Sequence, residues 1–300
     1  MSRVWARLAL VLCVSAGAAC AAHSGSPMTT GRGTLADGVS TTIIRPEGAG
    51  PFPAVVLMHD CSGLGPRSSG APGRWARVLV GRGYLVSMPD SFTPRGVPDG
   101  VCTGGVRGID VSHERRARDA YAALADLRAR PDVDGRRIGL MGGSHGGSTT
   151  LVAMQADGGA APPAADGPGF AAAVALYPRC AVRGALRGDA SGVYRAVAPL
   201  LILIGDKDDW TPAEPCRQLV EAAARAGSPV AIKIYPGAHH SFDSPNPVRY
   251  VAARLNPSAP GGRGATTGGH PQAWADAIQQ VAAFFGRHLA VVPSRAQEIR

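Results

Sequence analysis

Three hundred residues with 45% hydrophobic content suffice for one large domain or two small ones with a sizeable core. Aromatics are only 5% and Ala and Gly supply much of the apolar content, so the core is expected to be built from small aliphatic side chains. The formal charge of +9 is carried almost wholly by arginines, Lys207 and Lys233 being the only lysines; they are scattered, with no basic block interleaved with aromatics, which argues against a nucleic-acid partner.

The N-terminus reads as a targeting segment over residues 1–22. Arg3 and Arg7 precede the apolar stretch Leu8 to Val14, and the small residues Ala16 to Ala22 follow. That stretch is shorter than the roughly 20 residues a bilayer requires, so no stable membrane insertion is expected. Cys20, after Gly17-Ala18-Ala19, is a candidate for lipid anchoring at a lipoprotein-type cleavage site; simple cleavage between Ala19 and Ala22 is the alternative. Either way the protein is expected to be exported, and periplasmic, secreted or lipid-anchored. The polar stretch His23 to Gly33 reads as a spacer between leader and fold.

From Gly33 β-like and helical runs alternate. Val39 to Arg45 reads as a strand, and Pro53 to His59 as a strand buried on both faces of a parallel sheet. Arg74 to Arg82 has helical periodicity and Tyr84 to Pro89 reads as a strand. A Pro/Gly-rich loop, Asp90 to Gly108, precedes a helix over Ser112 to Arg128, in which Tyr121, Leu124 and Leu127 share one face. The strand Ile138 to Met141 is followed by a turn and a helical stretch, Ser148 to Gln155. Three further strands are expected at Phe170 to Tyr177, Leu200 to Ile204 and Val230 to Tyr235, with a helix from Ala213 to Ala226 between the last two. Gln272 to Leu289 closes the fold as a long helix, and 291–300 is a tail. Asp157 to Gly169 and Asn256 to Gly269 lack periodicity and read as surface loops or mobile insertions. Strands alternating with helices over about 250 residues predict a single α/β domain over 33–290, a mostly parallel central sheet covered by helices on both faces.

The chemistry-bearing residues fall at strand ends, where functional groups collect in an open α/β sheet. Gly142-Gly143-Ser144-His145-Gly146 fits Gly-x-Ser-x-Gly, which sets a serine on a cramped strand-to-helix turn. The acid cluster Asp206, Asp208 and Asp209 follows one later strand, and His239-His240 follows the next. The order Ser, Asp, His is that of the α/β-hydrolase triad.

These residues resemble the dienelactone hydrolase family within the α/β-hydrolase fold. The resemblance rests on the serine turn, on Gly205-x-x-Asp208 with Pro212 four residues beyond the acid, on His240-Ser241-Phe242, and on Asp90-Ser91-Phe92 with nearby Arg95. It covers roughly Gly33 to Leu289. The chain departs from the name-giving enzymes in carrying Ser144 where they have a cysteine.

The resemblance and the chemistry together assign roles. Ser144 is the expected nucleophile and His240 its base, since a neutral serine attacks poorly until its proton is taken. Asp208 is expected to orient the imidazole and offset its charge. His239 is the rival base and Asp206 and Asp209 are the rival acids. Backbone N–H groups of Cys61 and His145 are expected to form the oxyanion hole. Asp60 stands where the family has an acid that interacts with the resting nucleophile, and Arg95 resembles the family arginine that grips a substrate carboxylate; a salt bridge or loop anchor is the alternative for Arg95. The second family arginine is replaced by Ser244. His59 is read as a buttress of the loop that follows it.

Cys61, Cys102, Cys180 and Cys216 remain after the leader, an even number for an oxidising compartment. In the arrangement that the resemblance implies, the pairs 61–102 and 180–216 lie in loops flanking adjacent strands, and these are the expected disulfides. None of the four has metal-ligand spacing, and neither metal nor other cofactor is expected. The expected function is cleavage of carboxylic esters or lactones, small-molecule substrates, through an acyl-enzyme. A peptidase or amidase on the same fold, or a non-catalytic binding protein on a hydrolase scaffold, are the alternatives.

Overall fold

The computed structural model describes residues 28–156, 169–181 and 192–290. The expected leader over 1–22 with Cys20, the expected tail 291–300 and nearly all of the expected loop Asp157 to Gly169 lie outside the described residues. No helix among the described residues is long and apolar enough to cross a membrane.

Eight strands form one sheet in the order β1-β2-β4-β3-β5-β6-β7-β8. They are β1 (Met28–Thr34), β2 (Ser40–Pro46), β3 (Phe52–Met58), β4 (Leu85–Pro89), β5 (Val133–Gly143), β6 (Ala172–Leu176), β7 (Leu200–Gly205) and β8 (Val230–Tyr235). β1 and β2 pair antiparallel, as do β2 and β4; every other pairing is parallel. β4, β6 and β7 are buried at every position, as strands covered on both faces must be. Among the described residues five α-helices flank the sheet: α1 (Ala71–Val80), α2 (His113–Ala129), α3 (His145–Ala153), α4 (Ala213–Arg225) and α5 (Pro271–His288). α1 and α5 meet edge to face through Trp75 and Trp274, while α2 packs along α3. Small aliphatics fill the interior: Ala54, Val55, Val56, Ala172, Ala173, Val174 and Ala175 are all wholly buried.

Two expectations need correction. The polar stretch before Gly33 is not a spacer throughout: Met28–Thr34 is an edge strand, so the fold begins before residue 33. Its residues are mostly exposed, and the seven-residue ladder to β2 holds it by backbone hydrogen bonds, which leave no apolar alternation to read. Asn256 to Gly269 is likewise not a featureless insertion. Its second half, β10 (Arg263–Thr267), forms an antiparallel hairpin with β9 (Arg249–Leu255). The hairpin is anchored through polar contacts. Asn256, buried, donates to the carbonyls of Asp209 and Gly264, and Asp209 accepts from the backbone N–H and hydroxyl of Thr266.

Candidate active site

β5 delivers Ser144 at its carboxyl end, and α3 starts one residue later. The turn is possible only with glycines at two places: a Cβ on Gly142 would stand 2.3 Å from the carbonyl oxygen of Gly146, and one on Gly146 would stand 2.2 Å from that of Met58. Ser144 itself is held at φ 55, ψ −117, a conformation non-glycine residues rarely adopt.

The acid and histidine arrive from β7 and β8. The His240 Nε2 lies 2.9 Å from the Ser144 Oγ, and its Nδ1 lies 2.8 Å from Asp208 Oδ2. Because the carboxylate accepts, the proton is assigned to Nδ1, which leaves Nε2 as acceptor for the serine hydroxyl. Asp208 also accepts from the backbone N–H groups of Trp210 and Thr211 and from the Thr211 hydroxyl. All three residues are buried or nearly so, with Ser144 8% exposed. The rivals are engaged elsewhere: Asp206 accepts from the backbone of Gly237, Asp209 clamps the hairpin, and His239 Nδ1 lies 2.9 Å from the carbonyl oxygen of Lys207.

Cys61 N–H has no acceptor among the described residues, and His145, as the first residue of α3, has an N–H without a partner inside its helix. Both residues line the same cleft as Ser144. Cys61 is joined to Cys102 with Cα atoms 4.9 Å apart, and Cys180 to Cys216 at 5.0 Å, the pairing expected above. Asp60 lines the cavity in front of Ser144, where Ser62 and Ser69 donate to its carboxylate; the Ser144 hydroxyl points to His240 and not to it. His59 buttresses the loop: it accepts from the Ser91 N–H through Nε2, so its Nδ1 carries the proton and donates to the Asp60 carbonyl.

Arg95 is a correction. Its guanidinium grips the buried Asp119 through two 2.7 Å hydrogen bonds and donates to the Ser91 carbonyl, and it lines neither cavity that Ser144 borders. Asp119 lies on α2, and a carboxylate buried there needs a partner, so Arg95 is a loop anchor.

The arginines that do reach the site come from elsewhere. Arg67, Arg74, Arg249 and Arg254 line a cavity of about 440 Å³ together with Ser144 and His240. Arg67 pairs with Asp99 at 3.5 Å. Arg254, from the hairpin, sits 5.2 Å over the Trp210 ring, which in turn lies 4.7 Å from the His240 ring. The Arg254 Nε is buried and has no acceptor. Neither Trp210, Thr211 nor Arg254 was assigned a role from the sequence; the signal for the first two was their place beside Asp208, whereas Arg254 carried none, since its strand was not legible. Among the described residues no group of three or more His, Cys, Asp or Glu converges as metal ligands would.

A parallel sheet with a strained serine between strand and helix, followed in order by an acid and a histidine at later strand ends, defines an α/β-hydrolase. The chain belongs to the dienelactone hydrolase family, whose model matches residues 39–289. A Methylorubrum extorquens protein carrying the name carboxymethylenebutenolidase is 26% identical over 212 residues, 66% of this chain and 65%, just under two thirds, of that relative. A Bradyrhizobium protein named for 2-oxo-3-(5-oxofuran-2-ylidene)propanoate lactonase activity is 24% identical over 70% of this chain and 81% of its own length. Among solved structures, Thermogutta terrifontis esterase 2 phosphorylated by paraoxon superposes with a TM-score of 0.61 at 18% identity, covering 87% of this chain and 94% of that one. A dienelactone hydrolase-like promiscuous phosphotriesterase from metagenomic libraries gives 0.60 at 21%, covering 87% and 98%.

Proposed function

We propose that the protein is a serine esterase or lactonase that works through an acyl-enzyme, and the observation carrying this is the His240 bridge between Ser144 and Asp208. His240 Nε2 takes the hydroxyl proton as Ser144 Oγ attacks the ester carbonyl. The N–H groups of Cys61 and His145 hold the negative oxygen of the tetrahedral intermediate. As that intermediate collapses, the imidazolium returns the proton to the departing alcohol oxygen. Water then loses a proton to His240, attacks the acyl-serine carbonyl, and the carboxylic acid leaves with Ser144 restored.

The cavity's charge supports a substrate that bears a carboxylate near its ester. Among the described residues Arg254 has no acidic partner within ion-pair distance and no acceptor at Nε, so its charge is available to an anion. The two curated relatives are named for lactones that carry a carboxyl group, which agrees with that reading although the arginines differ from the family's own. Asp60 edges the same cavity and helps to set its shape from the loop after β3.

The test is direct. A fluorophosphonate probe is expected to label Ser144 and no other residue; an unlabelled folded protein sinks the reading. Matched esters of succinate and butyrate, with peptide amides alongside, then define the substrate. The anionic ester is expected to be preferred, and Arg254→Gln to lower its kcat/KM about 10-fold while leaving the neutral ester within about twofold. Hydrolysis of the amides with neither ester cleaved would turn the assignment to a peptidase.

A further inference from the structure

α2 carries a cation where a helix facing a sheet ordinarily carries an apolar side chain. Arg116 is wholly buried and forms no ion pair among the described residues; the carboxylates whose charges act on it, Asp119, Asp60 and Asp90, all stand beyond ion-pair distance, and Asp119 is gripped by Arg95. Its hydrogen bonds go to neutral groups. Nη2 donates to the carbonyl of His59 at 2.6 Å, and Nη1 lies 2.7 Å from His145 Nδ1. A guanidinium has no acceptor, so it donates there too and His145 must be neutral with its proton on Nε2. The guanidinium also lies 4.9 Å from the Phe92 ring, and its Nε has no partner. Burial pulls its pKa down to about 9, which still leaves it charged at neutral pH.

A buried cation with no carboxylate within ion-pair distance is expensive, and a fold retains it only where something offsets the cost. The two groups it holds identify what that is. His59 stands two residues before Cys61 on the loop leaving β3, and His145 is the first residue of α3. These are the two segments assigned the oxyanion donors, and they run so close that a Cβ on Gly146 would stand 2.2 Å from the carbonyl oxygen of Met58 and 2.7 Å from that of His59.

Resting on the esterase reading above, we propose that Arg116 is the positioning residue of the oxyanion hole. It fixes the spacing of the two donors by bonding the segment behind each, and the negative oxygen formed on attack adds a charge of the sign that its buried guanidinium favours. The resting enzyme therefore holds the cation without a direct ion pair, and its field favours the tetrahedral intermediate over the neutral ester.

The experiment compares wild type with Arg116→Met and Arg116→Lys, using circular dichroism and thermal melts to establish folding. With a neutral ester, Arg116→Met is expected to lower kcat roughly 10- to 100-fold with KM within about threefold, and Arg116→Lys to recover part of the loss. An arylboronic acid supplies the readout that a merely structural residue would not move. Boron bonds the Ser144 oxygen, the hydroxyl proton passes to His240, and the adduct's negative charge sits on the tetrahedral boron centre. Its affinity is expected to fall by the same factor as kcat/KM, while a boron-free arene of the same shape binds unchanged. A folded Arg116→Met with full kcat, a loss confined to KM, or unchanged boronate affinity overturns the proposal. Failure of both variants to fold also overturns it, by making the residue purely structural. An inactive, unlabelled wild type instead defeats the esterase reading itself.

Discussion

Three acids compete for one role on the loop after β7, and hydrogen bonds separate them. Only Asp208 meets His240; Asp206 fastens the β8 turn and Asp209 the hairpin. Asp208→Asn would leave the packing intact but favour the wrong imidazole tautomer, so kcat is expected to fall about 10⁴-fold, while Asp206→Asn costs less than about 10-fold. Steady-state kinetics on a single ester decide it. Arg95 gives the opposite pattern. Arg95→Met strands the buried carboxylate of Asp119 and is expected to lower stability by about 3–5 kcal/mol in urea unfolding, with KM for the anionic ester unchanged within about twofold. Ser144, Asp208 and His240 were legible because each follows a recognisable strand and chemistry admits few residue types there. Arg95 was misread because spacing places a residue on a loop without saying which way its side chain turns. Arg116 was invisible, since in a helix rich in arginine nothing marks the one that faces inward.

The buried histidines around that arginine add a pH dependence. Burial and then the nearby Arg116 hold the His59 pKa well below the ordinary imidazole value; burial, Arg116 and Arg179 push His113 down to about 4, and His145 goes well below through burial and then the neighbouring His113 and Arg116. Each is neutral when folded and gains a proton when unfolded, so the unfolded chain binds more protons below about pH 6.5 and stability falls as pH drops towards 4. Asp243 works the other way, its carboxyl raised by burial, so that it favours the folded state in acid. Three groups outweigh one, and the urea midpoint is expected to be lower at pH 5 than at pH 7.5. An unchanged midpoint would mean that these histidines are not neutral in the folded protein.

At the level of elements, the core strands announced themselves and the hairpin did not. β3, β6, β7 and β8 are short apolar or β-branched runs between turn signals, which is what a sheet covered by helices demands. β9 and β10 carry arginines and threonines on a surface ribbon, attached in part through the side chains of Asn256 and Asp209, which no periodicity reports. The hairpin presents Arg249 and Arg254 to the cavity, so its anchoring should be felt in substrate binding. Asn256→Ala removes donors to two carbonyls, one of them buried. It is expected to cost about 1–3 kcal/mol and to raise KM for the anionic ester several-fold, with kcat nearly retained. Kinetics on the succinate and butyrate esters side by side make the check: an equal rise in KM for both would show a general loosening of the cavity and no role for the hairpin arginines.

For the whole molecule, the two disulfides tie redox state to the site. Cys61–Cys102 closes a 41-residue separation and fastens the loop after β3, whose Cys61 N–H is one proposed oxyanion donor, whereas Cys180–Cys216 closes 36 residues and ties the loop after β6 to α4. Similar separations imply similar contributions to stability, about 2–4 kcal/mol each by the chain-entropy argument. Their effects on catalysis should differ. In Cys102→Ser the Cys61 backbone is released from its tether, and kcat is expected to fall about 10-fold or more, as when an oxyanion donor is misplaced. In Cys216→Ser stability drops comparably and kcat stays within about twofold. The same asymmetry bears on compartment. Protein made without residues 1–22 in a reducing cytoplasm is expected to be folded but less stable and less active, and glutathione-buffered oxidation should restore both properties together. Melting temperature and kcat followed through that oxidation carry the decision. Recovery of stability without recovery of kcat would mean that the Cys61–Cys102 bond serves stability and not activity.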